Sequence, residues 1–366
     1  MTSIHDNHAR RPQNTTLAQS HRYEIVLAPA SRTAFAEYLK QLQTKQHKAG
    51  AYLQQQLTKA GITDLQSLDT DAIIYHLLST KKPQIFAEMS VYGDGSDWNL
   101  AELALLGDVG VACKVRIFDD GQHHKPVVHS TPFEGYLLVT PGALLRNGRN
   151  QIAADWHIVD QSGQIDPDRH YALYERRLLP LLQYANHTSR QLGKQAIITI
   201  PGIGCGQFAG KFIGQLGEKL EQVLLRLLRT YRDQLDAIAW VHFDPYQECS
   251  TKTYDIDSLT FAVNPLTKAS KKLNQLCPPA RYLDTSDQDK LMLFSFVAWD
   301  HVSWPGNDFY LGARATDDGV KAAATDSMYA ITGIPGHYDP ATHCYLPPAP
   351  FKTWLDVIKA KGLSFP

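Results

Sequence analysis

The sequence predicts a layered α/β fold preceded by a helical module, and three observations carry that prediction. An apolar, β-branched run at residues 196–200 passes through Pro201 into a glycine-rich turn, a long helix-period stripe and a second strand at 237–243. Strand, polar loop and helix then recur over residues 291–331. With 366 residues and 43% hydrophobic content, the chain can bury a large core.

In chain order, residues 1–20 are polar around Arg10 and Arg11 and carry too little apolar surface to fold alone, so they read as a tail. Residues 21–84 read as the helical module. Phe35, Tyr38, Leu39 and Leu42, then Ala51, Leu53 and Leu57, keep helical spacing up to Gly61, and the pattern restarts after Asp69 at Ile73, Ile74, Leu77 and Leu78. Short strand-like runs at 109–118, 136–140 and 153–159 alternate with Gly, Pro and Asp turns. A helix over 171–191, with Leu173, Leu178, Leu181 and Leu182 on one stripe, leads into the central strand. Beyond Asp244 the pattern is irregular to residue 279, followed by a strand at 291–299 and an Ala-rich helix at 320–331.

Charge and cysteine usage narrow the function. Lys and Arg total 36 against 37 Asp and Glu, so no bulk positive field favours a nucleic-acid polymer or an anionic membrane. No apolar run approaches the roughly 20 residues that span a bilayer, and the start lacks a basic-then-apolar leader, which predicts a cytosolic protein. The five cysteines are scattered without a CxxC pair, as expected of reduced thiols.

The glycine turn, Gly202-Ile203-Gly204-Cys205-Gly206-Gln207-Phe208-Ala209-Gly210, suits an anion if helix N–H groups point back into it. It is not a Walker A loop, because Phe212 stands where Ser or Thr would ligate magnesium and Cys205 where the first glycine belongs. Gly204, Gly206 and Ala209 do fit the loose dinucleotide fingerprint G-x-G-x-x-A, with Asp244 placed to bind a ribose. A purely structural turn is the third reading.

The stretch 204–210, the helix after it and the strand Trp240-Val241-His242-Phe243-Asp244 resemble the diphosphate loop and following strand of macrodomains, above all the poly(ADP-ribose) glycohydrolase branch. The resemblance covers about fifty residues. It implies a three-layer α/β/α macrodomain-like fold with a mixed sheet over residues 85–366, and ADP-ribose as ligand or product with no cofactor. By the same resemblance, Gly202 to Gly206 hold the diphosphate, Gln207 belongs to the same loop, and Phe208 packs near the distal ribose. The triple-glycine loop and paired-glutamate signature of the glycohydrolase branch are absent.

Carboxylates lie downstream instead, at Asp308, Asp317, Asp318 and Asp326. This arrangement is similar to atypical macrodomains that remove ADP-ribose from arginine, found among effectors of intracellular bacteria. The resemblance implies a protein substrate and, for an effector, action in a host cytosol; no residue set is read as a metal site, and whether magnesium assists the carboxylates stays open. Cleaving an N-glycosidic bond needs one carboxyl to assist the leaving group and one carboxylate to activate water, and crowded acids supply both protonation states. The plainer reading is that Asp317 or Asp318 caps the helix and Asp326 faces solvent. Eight helical residues separate Asp318 from Asp326 by about 12 Å, so they converge only if Asp318 belongs to the loop.

Asn307 can bond a ribose hydroxyl or form an Asx turn. The set His337, Asp339, His343 and Cys344 matches no zinc spacing and reads as a structural loop, and His123, His124 and His129 read as surface. Cys205 as a nucleophile lacks a partner histidine at any recognisable spacing. The expected activity is hydrolysis of ADP-ribose from a protein side chain, arginine first. A non-catalytic ADP-ribose reader and a nicotinamide-dependent oxidoreductase are the alternatives.

Overall fold

A computed structural model describes residues 22–269, 272–283 and 287–365; the tail expected at 1–20 lies outside the described residues. The chain opens with strand β1 (Tyr23–Val26), helices α1 (Pro29–Gln43), α2 (Ala51–Lys59), α3 (Thr70–Leu78), α4 (Ala87–Ser90) and α5 (Leu100–Gly107), and strands β2 (Gly110–Asp119) and β3 (Val128–Pro141). Next come α6 (Pro167–Gln191), β4 (Gln195–Pro201), α7 (Leu216–Thr230), β5 (Ile238–Asp244), β6 (Lys252–Ile256), β7 (Leu259–Val263) and β8 (Leu291–Trp299). The end is α8 (Asp317–Ala324), α9 (Ser327–Thr332), the hairpin β9 (His337–Asp339) and β10 (Cys344–Leu346), and α10 (Trp354–Lys361).

Eight strands form one mixed sheet in the order β1-β2-β3-β8-β4-β5-β7-β6. The five from β3 to β7 run parallel, and antiparallel strands finish both edges. Leu178, Leu182, Leu220 and Leu224 of α6 and α7 cover one face, while residues of α1, α3, α5, α8, α9 and α10 cover the other, which makes three layers. Parallel strands buried on both faces read as continuous apolar runs, as 196–200 and 291–299 do.

The helices expected before residue 84 form, and local chemistry starts them: Pro29 opens α1, and the Asp69 carboxylate caps α3 by accepting the Ala72 N–H at 2.8 Å. Residues 23–26, however, are the sheet's outer strand, with Tyr23 opposite Cys113. Phe35, Leu39 and Leu77 share one core with Val111 and Val297.

Four other expectations change. Residues 153–159 are not a strand but contain a single 3-10 turn, Trp156–Ile158, because the Asp155 carboxylate is drawn to the Leu144 N–H at 2.7 Å. The irregular stretch after Asp244 hides the hairpin of β6 and β7, turned at Asp257 with φ 54°. The Ala-rich helix breaks into α8 and α9 where Thr325 bridges to Ile117. The long helix starts at Leu216, and a 3-10 segment, Gln207–Phe212, with a kink at Gly210 separates it from the glycine turn.

Candidate functional site at the carboxyl ends of the parallel strands

The parallel strands end on one side, so the loops after β3, β4, β5, β7 and β8 share a rim, the place where open α/β sheets bind ligands. The loop after β4 is wound tightly: Ile203 N–H donates to the Pro201 carbonyl at 2.8 Å, Cys205 N–H to that of Gly202 at 3.0 Å, and Gly204 has φ 79°. It lies against the loop after β3 so closely that a Cβ on Gly142 would sit 2.4 Å from the Gly204 nitrogen. The Tyr174 hydroxyl joins both loops, accepting from Ala143 N–H at 3.2 Å and donating to the Ile203 carbonyl at 2.7 Å. Leu145 N–H donates to the Phe208 carbonyl at 2.9 Å, and Arg146 Nη1 to Gln207 Oε1 at 2.8 Å.

Within this frame the N–H groups of Gly204 and Gly206 have no acceptor among the described residues. They are open to an anion. The dipole of α7 does not serve it, contrary to the sequence expectation, since the Gly217 N–H at its start is bonded to Glu248 Oε2 at 2.6 Å. Burial pushes the Cys205 thiol well above its ordinary range, which removes it as a nucleophile. Asp244 Oδ1 accepts the N–H groups of Tyr246 and Leu266 at 2.8 and 2.9 Å and so shapes the turn after β5. Phe208 faces the next loop, its ring 5.7 Å from that of His301.

The loop after β8 gathers the acids unevenly. Asp318 Oδ1 accepts the Gly306 N–H at 2.8 Å, while its Oδ2 is buried without a partner. Burial first, then the neighbouring Asp308, Asp317 and Asp300, raises its carboxyl well above the usual range. Asp308 accepts from Ala315 N–H at 2.9 Å, Thr316 N–H at 3.1 Å and the Thr316 hydroxyl, and so ties the loop to the first turn of α8. Asp317 accepts the Ala298 N–H at 2.8 Å and pairs with Lys321 at 3.0 Å. Asn307 Oδ1 accepts the Ile85 N–H at 3.0 Å, which makes it a tether between distant segments.

Asp326 does not join them. It lies beyond the far end of α8, where its Oδ1 accepts the Arg116 N–H at 2.6 Å, and it lines a groove of about 930 Å³ with Arg22, Tyr329 and Tyr338. The physical reason is the length of α8, which separates its two ends.

Asp300 belongs to the cluster and is absent from the sequence reading. Its carboxylate accepts from Ala87 and Val302 N–H, both at 2.8 Å, and burial with the nearby Glu88 raises its carboxyl. The signal was present: an Asp directly after an apolar strand at the ligand rim, the same position as Asp244. Behind the loop, Arg177 clamps Asp155 at 2.8 and 3.0 Å, and His301 Nε2 lies 3.2 Å from the same carboxylate. Burial opposes ionisation there, but Arg177 and His301 hold the Asp155 carboxyl far below its ordinary value.

Residues 337–346 form the β9–β10 hairpin, in which Asp339 accepts the Ala341 N–H at 3.0 Å. No helix among the described residues is long and apolar enough to cross a membrane. Comparison with curated proteins gives no significant match. The family model described as macrodomain effector MavL matches residues 23–351, from the first residue of the sheet's outer strand to past the last hairpin, and the chain therefore belongs to this family of macrodomain effectors.

Proposed function

We propose that the protein is a hydrolase that removes ADP-ribose from modified protein side chains, with arginine the favoured linkage and a host cytosol its place of action. The observation that carries this is Asp318, a buried carboxyl with one uncommitted oxygen, flanked by Asp300 and Asp308 at the ligand rim. The ADP-ribose diphosphate accepts from the Gly204 and Gly206 N–H groups. Phe208, between the glycine loop and His301, lies against the distal ribose.

Water adds its oxygen to the anomeric carbon as the carbon–nitrogen bond breaks and its electron pair passes to the guanidine. A protonated carboxyl gives a proton to the departing nitrogen, and an ionised one takes a proton from the water. Asp318 and Asp300 take these two roles. Asp308 and Asp317, committed to backbone donors and Lys321, hold the loop that carries them.

The test is incubation with arginine-, glutamate- and serine-linked ADP-ribosylated proteins, with free ADP-ribose followed by mass spectrometry. Release from arginine alone, lost in Asp318→Ala, is expected. Binding of ADP-ribose without cleavage of any linkage would make the protein a reader, and tight binding of NAD with ADP-ribose ignored would make it an oxidoreductase.

A further inference from the structure

Two segments span the gap between the glycine loop and the acid loop. The first, residues 85–92, is fixed to the acids. Lys82 N–H, just before it, donates to the Val302 carbonyl at 2.8 Å, and Trp304 N–H donates to that of Lys82 at 2.7 Å, a short parallel bridge. Ile85 N–H then donates to Asn307 Oδ1 at 3.0 Å and Ala87 N–H to Asp300 Oδ2 at 2.8 Å. The second segment, residues 145–152, is fixed to the glycine loop by the bonds from Leu145 and Arg146 to Phe208 and Gln207. The two are joined where Gly148 N–H donates to the Glu88 carbonyl at 2.7 Å and Asn147 Nδ2 to that of Tyr92 at 3.2 Å.

The outer side of this platform is apolar and positively charged at once. Met89, Tyr92 and Ile152 are 54, 42 and 63% exposed, and Ile152 rims a hollow of about 360 Å³ with Asn147, Asn150 and Trp156. Tyr, Met and Arg are side chains that protein contact surfaces favour. Arg146 donates to the neutral amide of Gln207, the Arg149 guanidinium lies 5.0 Å from the centre of the Tyr92 ring, and Lys211 Nζ lies 5.2 Å from that of Trp156. Among the described residues none of the three cations forms an ion pair, and Glu88 and Asp155, the acids of these two stretches, are buried. The exposed charge is therefore positive.

We infer that this platform docks the ADP-ribosylated protein and selects an acidic segment with an apolar side chain beside the modified arginine. The inference rests on the hydrolase reading and adds which surface of the substrate accompanies the ADP-ribose. With the diphosphate on the Gly204 and Gly206 N–H groups and the linkage at Asp318, the backbone that carries the arginine comes to rest on the segments joining those two loops. Carboxylates there meet Arg149 and Lys211, which rings and not acids hold in place, so docking breaks no internal ion pair. The apolar neighbour meets Tyr92 and Ile152.

The probes are two synthetic peptides with one ADP-ribosyl-arginine, flanked on each side by Glu-Leu-Glu or by Lys-Leu-Lys, and free ADP-ribose as the control. Calorimetry uses the full chain carrying Asp318→Asn, so that the peptides stay intact. The acidic peptide is expected to bind at least about tenfold more tightly than the basic one at low salt, and the preference to shrink as salt rises. Arg149→Glu cuts that preference at least about threefold, and adding Lys211→Gln removes it, while free ADP-ribose binds as before. Ile152→Ser weakens both peptides. Equal affinity for the two peptides, tighter binding of the basic one, or a preference that Arg149→Glu leaves unmoved would overturn the inference. Wild-type protein that binds the acidic peptide preferentially but releases no ADP-ribose from either would overturn the hydrolase reading alone, because docking is read from affinity without turnover.

Discussion

The hydroxyl of Tyr174 in α6 donates to the carbonyl of Ile203, 2.7 Å away in the glycine loop, and so fixes that loop from beneath. The same oxygen accepts from Ala143 N–H. Tyr174→Phe leaves the Ala143 N–H without an acceptor and the Ile203 carbonyl with only the weak Cys205 thiol contact at 3.9 Å, at a cost of about 1–3 kcal/mol in stability by urea denaturation. ADP-ribose affinity falls with it in calorimetry; unchanged affinity would show that the loop holds its shape without the tyrosine.

Gly204 and Gly206 have different jobs. A Cβ on Gly204 would lie 2.5 Å from the Tyr174 hydroxyl at a positive φ, so Gly204→Ala destabilises the fold by about 1–3 kcal/mol. Nothing lies within 4 Å of a Cβ on Gly206. Gly206→Ala therefore stays within about 0.5 kcal/mol of wild type, whereas Gly206→Glu keeps the fold and loses ADP-ribose through bulk and charge. Full affinity in Gly206→Glu would put the diphosphate elsewhere.

The acids separate by position. Asp318→Ala lowers turnover by roughly two or more orders of magnitude while ADP-ribose still binds. Asp326→Ala leaves turnover near wild type and costs at most about 1 kcal/mol, because the Arg116 N–H it frees lies at an open groove where water replaces the carboxylate. Equal losses of turnover in both variants, measured by release of ADP-ribose, would contradict the assignment.

His242 gives acid unfolding a traceable component. It is buried on β5 with Nε2 unpartnered and its ring 5.2 Å from Tyr282, and burial lowers its pKa to about 4. The unfolded chain, with the ordinary value near 6.5, binds more protons between these limits. Stability is therefore complete above pH 6.5 and declines as pH falls toward 4, by about 3 kcal/mol at most from this group. In His242→Leu, urea midpoints measured at pH 7, 5.5 and 4 fall less steeply than in wild type; parallel curves would refute the role.

The core strands were legible because burial on both faces leaves a nearly continuous apolar run: residues 291–299, broken only by the buried Ser295, coincide with β8. The hairpin of β6 and β7 was not, since a strand at the rim of the sheet carries Lys252, Thr253, Tyr254 and Asp255 and has little apolar content to reveal it. Of the candidate site, the glycine loop was readable from its own spacing. Asp318 was readable as one acid of a group, but its separation from Asp326 depends on where one helix ends and the next begins. Lys81 reaches the His301 carbonyl across a separation of 220 residues, and no local pattern records a contact between residues so far apart.

The bridge between Lys82 and Ser303 also bears on how the chain matures. The Trp304 indole that reinforces it donates to the Lys81 carbonyl across a sequence separation of 223 residues. A contact of that span forms late, after the entropy of closing the intervening chain has been met by nearer pairings. The Tyr174 bond to Ile203 spans only 29 residues, so an emerging polypeptide fixes its glycine loop before residues 81–82 dock on the loop after β8.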